Sequence, residues 1–154
     1  MNNLKIIAFY VTKLKAADHL KIYLSDQMLY GYKNIISHLC DVVFLKDYYT
    51  YDNLMEASKL DQDEKRLLLD IIHILTEKKI DILNYKFEIY DEDNERMVGV
   101  NAERVFRSYL NKEFFHPITG KILSLNEFND ELIPFFSTTD SFKLKVKQDR
   151  NVEL

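Results

Sequence analysis

The chain has 154 residues, 47% hydrophobic and 30% charged, with a formal net charge of −4. That length supports one domain with a substantial core, and the acidic balance opposes nonspecific binding to nucleic acid or an anionic membrane surface. Only three glycines and two prolines occur, which argues against glycine-rich nucleotide folds, where backbone must approach phosphate closely.

Leu4 to Val11 is rich in Ile, Phe, Tyr and Val and reads as a buried strand. At Ile6–Val11 the apolar run is too short for a membrane span. Lys13 and Lys15 follow it without an A-x-A-like site, so no signal peptide is expected. Ala16 to Leu39 reads as a helix with two apolar stripes, either buried on two sides or broken at Gly31. Asp41–Lys46 fits a short strand. Asp47–Tyr51 reads as an aromatic loop, and Asp52 is a candidate N-cap for a helix ending near Lys59.

Asp61 and Glu64 form a capping-box pattern. In the helix after it, Leu67, Leu68, Ile71, Ile72, Ile74 and Leu75 share one face. Tyr85, Phe87 and Ile89 alternate with Lys86, Glu88 and Tyr90, and a second strand runs from Arg96 to Val100, which predicts a β-hairpin. Asn101 caps the next helix, and His116-Pro117-Ile118-Thr119-Gly120 is a strong turn signal. Ser124 and Glu127 make a capping box, with Leu123 and Phe128 as a hydrophobic staple, so a helix begins at Leu125. Pro134 should end it. In Ser141–Lys147, Phe142, Leu144 and Val146 alternate with lysines, which reads as an edge strand guarded by charge.

These elements predict an α+β fold in one mostly helical domain over residues 1–148, with residues 149–154 frayed. Its small, largely antiparallel sheet contains a hairpin near 84–100, joined by the N-terminal strand and with the C-terminal strand as a further candidate. Cys40 is the only cysteine. It can form no intramolecular disulfide, so the fold needs no oxidising compartment and a cytoplasmic location is expected.

No catalytic motif stands out. Asp70, His73 and Glu77 share a helical face at metal-ligand spacing, but any exposed face offers that spacing. His38 and Cys40 are two apart, which on a helix does not bring them together; a small buried thiol is the simpler reading. His116 fits a turn residue better than a general base. Asp91–Asn94 resembles the start of a calcium loop, but Arg96 and Ala102 stand where that loop needs Gly and Glu. No metal and no cofactor are expected.

Two clusters remain. Glu88, Asp91, Glu92, Asp93 and Glu95 crowd the predicted hairpin, where like charges can steer a basic partner. Tyr48, Tyr49 and Tyr51 lie between Asp47 and Asp52, and tyrosine is enriched at interfaces. Together they predict a small acidic, non-catalytic protein-binding protein of the immunity-protein or antitoxin type. It would mask the active surface of a toxin such as a nuclease, whose substrate groove is basic. The alternatives are a small enzyme using His38, His73 or His116 as acid–base and a generic accessory protein.

Overall fold

The computed structural model describes residues 3–153. Those residues form an α+β fold with seven α-helices and a three-stranded antiparallel sheet. In the sheet, β1 (Leu83–Asp91) lies between β2 (Arg96–Val100) and β3 (Leu132–Thr138). The chain divides into two compact units: Met1–Asn84 with Ser137–Leu154, and Tyr85–Phe136. It leaves the first unit along β1 and returns to it along β3.

Leu4–Val11 is not a strand but the first part of helix α1 (Leu4–Ala16). Its β-branched and aromatic composition is compatible with either element. The deciding pattern is Ile6, Tyr10 and Leu14, buried at intervals of four, while Leu4 and Phe9 stay exposed. A strand would have buried alternate residues instead. The long helix expected from Ala16 is likewise interrupted. A short 3₁₀ segment spans Asp18–Tyr23, and α2 (Asp26–Val42) begins afresh at Ser25, whose side chain accepts from the Met28 amide.

Helix α2 is unbroken at Gly31. There a Cβ would come within 2.7 Å of Ile71 Cδ1 and 3.1 Å of Leu60 Cδ1, so the missing side chain permits a close approach. The strand expected at Asp41–Lys46 is instead the end of α2 and a turn closed by Leu45 N–H donating to the Val42 carbonyl. Thr50, not Asp52, caps α3 (Tyr51–Ser58), in a capping box with Asn53. Helix α4 (Lys65–Thr76) buries Leu68, Ile71, Ile72, Ile74 and Leu75, as its period predicts. The capping box expected at Asp61 and Glu64 does not form: Glu64 occupies the N-cap and makes no cap hydrogen bond, and its carboxylate accepts from Gln27 instead.

In the second unit the hairpin forms as read, with pairs running from Phe87 opposite Val100 to Asp91 opposite Arg96. Asn101 caps α5 (Ala102–Asn111) through the Arg104 amide. Ser124 and Glu127 make the expected capping box at the start of α6 (Leu125–Glu131). Pro134 does not end that helix. The chain turns extended at Leu132, and Pro134 lies inside β3, which pairs only with β1 and so tolerates a missing donor. Phe87, Ile89, Val105, Phe128 and Leu132 form this unit's core.

Ser141–Lys147 is not a strand either. It belongs to α7 (Asp140–Glu153), where Phe142 and Val146 are buried and Leu144 is 55% exposed. Burial four residues apart with the intermediate position outside identifies a helix. Residues 149–153 continue it, and Arg150 donates to the carbonyl of Cys40.

The entry to α7 is fixed by Asp47. Its Oδ1 accepts from the Thr138 amide at 2.8 Å and the Thr138 hydroxyl at 2.7 Å, and Oδ2 accepts from Lys143 Nζ at 2.7 Å. Burial alone would raise the Asp47 carboxyl; the Lys143 and Thr138 hydrogen bonds outweigh it and hold it below its ordinary value. A depressed native value means this support is present above the unfolded pKa, about 3.9, and is lost as pH falls through the native one. Asp47→Ala is expected to destabilise the protein by about 2 kcal/mol at pH 7, from charge-assisted hydrogen bonds and an orphaned amide. In urea titrations that deficit should shrink below pH 4.

With so few glycines, left-handed backbone falls to other residues: Lys59, Asp81, Glu95 and Lys112 all have φ between 51° and 60°. A side chain in that conformation costs roughly 1–2 kcal/mol. Lys112 caps the end of α5 in this way. Lys112→Gly is therefore expected to raise stability by up to about 1 kcal/mol, the strain relief exceeding the extra chain entropy of glycine. An unchanged or lower unfolding midpoint would contradict it.

Candidate functional site

The turn of the hairpin is built by one carboxylate. Asp91 Oδ1 accepts from the amides of Asp93 and Asn94, at 3.1 and 3.4 Å, and Oδ2 accepts from Asn94 Nδ2 at 2.7 Å. Such a side-chain turn replaces the Asn-Gly or Asp-Gly that two-residue hairpins favour. Glu95 closes it in the left-handed conformation. Asp91 is only 7% exposed, so of the acidic cluster it is the structural member. Glu92, Asp93 and Glu95 are exposed, and Glu88 is half-buried on β1.

A second turn faces the first. His116 N–H donates to the Lys121 carbonyl, Gly120 N–H donates back to His116, and Phe115 bridges Ile122. Within it, His116 Nδ1 accepts from the amides of Ile118 and Thr119, each at 3.2 Å. That leaves Nε2 as the protonated nitrogen of the neutral ring, and the histidine closes a turn, as its sequence context predicted. Gly120 supplies the positive φ of 75°.

Between these two turns and α6 lies a groove of about 250 Å³. It is lined by five carboxylates, those of Asp91, Glu92, Asp93, Glu127 and Glu131, with Lys121 as its one lysine, and by Tyr90 and His116. Glu127 is held by the capping box: its carboxylate accepts from Ser124 N–H at 2.9 Å, and the hydrogen bonds with Ser124 lower its pKa. Glu92, Asp93 and Glu131 form no ion pair among the described residues. The described residues contain no group of three or more His, Cys, Asp or Glu placed to hold a metal ion. The groove is thus a negatively charged surface held in shape by backbone hydrogen bonds.

The sequence marks Glu127 only as a capping residue, and Glu131 not at all. Both stand more than thirty residues beyond the turn acids Asp91–Glu95. The available signal was the Ser124–Glu127 capping box, which fixes where α6 starts and hence which carboxylates share its exposed side.

The tyrosines divide differently. Tyr49 is 0% exposed and its hydroxyl donates to the Lys46 carbonyl, so it is core. Tyr48 is exposed, and Tyr51 is half-buried at the start of α3. All three belong to the first unit, whereas the acidic groove lies wholly within the second.

Cys40 is buried, and burial above all pushes its thiol up to about 12, so it carries no thiolate at neutral pH. His38 lines a polar groove on α2. Glu77 lies 3.6 Å from His19 Nε2. No described helix is long and apolar enough to cross a membrane. Compared with protein families, with curated proteins and with solved structures, the chain matches none.

Hydrogen bonds from Asn94, and from the turn amides, hold Asp91 below its ordinary carboxylate value. The turn is therefore expected to keep its order above the unfolded pKa of about 3.9 and to lose it as pH falls through the lower native value. Protection of the Asp93 and Asn94 amides against hydrogen exchange reads this. It should fall at low pH in the wild type and be missing at every pH in Asp91→Ala.

Proposed function

We propose that this protein is a non-catalytic binding protein that covers a basic surface on a protein partner, in the manner of an immunity protein or antitoxin. The observation carrying this reading is the groove in the second unit, where five carboxylates meet one lysine. Five carboxylates facing one lysine leave the groove negative, and such a surface attracts a cationic partner. A nuclease is a suitable target class, because its substrate groove must be basic to hold phosphate. An acidic protein surface can occupy such a groove in place of nucleic acid.

Exposed apolar side chains support the same reading. Tyr90 lines the groove, and Ile118, Phe115, Ile122 and Leu125 stand exposed on the same turn and on α6. Charge then brings the partner in, and apolar contact slows its departure.

The test is recovery of a partner with tagged protein from the source cells. A stoichiometric protein released by rising salt is expected. Charge reversal at Glu92 and Asp93, which leaves the Asp91 turn intact, should weaken the complex at least tenfold, mostly through slower association. Retention of the partner at full affinity by that variant contradicts the reading, as does a turnover that disappears in His116→Ala.

A further inference from the structure

A cavity of about 480 Å³ lies in the first unit, between α2 and α3. Its α2 wall carries Asn34, His38 and Asp41, at helical spacings of four and three. Its α3 wall carries Asn53 and Glu56, with Lys46 and Lys59 completing the lining. Apart from Ala57, every lining side chain is polar.

The wall is held in place by bonds to the fold. Asn34 Nδ2 donates to the Ser58 carbonyl at 2.9 Å. Asp41 Oδ1 accepts from Asn3 Nδ2 at 2.9 Å. Asn53 is locked by the α3 capping box, and its Oδ1 accepts from Lys46 Nζ at 3.1 Å. Polar groups fixed before a ligand arrives lose little entropy on binding. Lys59 ends α3 in left-handed backbone at φ 59°, where glycine is the ordinary choice.

The charges select the ligand. Lys46 and Lys59 disfavour a bare cation, and Asp41 and Glu56 disfavour a bare anion. The Asn34–Ser58 bond places the Lys59 end of α3 beside Asn34, while Asp41 lies seven residues further along α2, roughly 10 Å away. We propose that this cavity binds a small zwitterion, an amino acid or dipeptide, with its carboxylate toward Lys59 and its ammonium toward Asp41. This inference does not rest on the acidic-groove reading.

The probes are glycylglycine, succinate and putrescine, titrated separately into the ¹⁵N-labelled protein. Glycylglycine should give saturable shifts in residues 34–41 and 53–59, and the dianion and dication at least tenfold weaker ones. Lys59→Gly should lose at least tenfold in glycylglycine affinity while its thermal midpoint holds or rises, since the strain goes with the charge. Lys59→Met, which keeps the backbone conformation and loses the charge, should bind as poorly. The proposal fails if glycylglycine gives no saturable shift, if succinate or putrescine binds as well, or if either variant keeps wild-type affinity.

Discussion

Scarcity of glycine is the constraint from which much of this molecule follows. A chain short of glycine can strain an ordinary residue into left-handed backbone or hold a turn with a side chain. This one does both. Lys59, Asp81, Glu95 and Lys112 take the left-handed positions, while Asp91, His116, Thr50 and Ser124 accept hydrogen bonds from turn or cap amides. Residues suited to those tasks are polar or charged. Charge therefore collects where the chain turns, and turns lie on the surface.

The acidic groove is one product of that arrangement. Asp91 organises the hairpin turn, which carries Glu92 and Asp93 outward as neighbours. The Ser124 capping box fixes α6 so that Glu127 and Glu131 line the same space. Beneath them Phe87, Ile89, Val105, Phe128 and Leu132 form a core that holds these strands and helices together. Asp91, which builds the turn, is mostly covered, while Glu92, Asp93, Glu127 and Glu131 are exposed. Charge concentrated in this way acts over a range of about 8 Å at physiological salt, enough to orient an approaching cationic surface.

The sequence was legible where one periodicity excluded the other. Helix α4 carries five buried residues on a single 3.6-residue face. The hairpin alternates cleanly, and the α6 box states its own starting point. The ends of the chain were misread because short segments satisfy two patterns at once. Phe142, Leu144 and Val146 alternate as in a strand, yet Phe142 and Val146 alone also satisfy an i, i+4 helix, and only the exposure of Leu144 separates the two. Leu4–Val11 was misread for the same reason, with β-branched composition masking the interval of four. At the candidate site, local crowding revealed the hairpin acids. The two carboxylates of α6 join them only through tertiary packing, and the burial of Tyr49 was hidden by its acidic neighbours.

Hydrogen–deuterium exchange on the purified complex would locate the surface that the partner covers. Partner binding is expected to slow exchange in residues 90–93 and 116–131, with the effect disappearing as salt dissociates the complex. If the partner stays bound while exchange in those segments is unchanged, the acidic groove is not the contact.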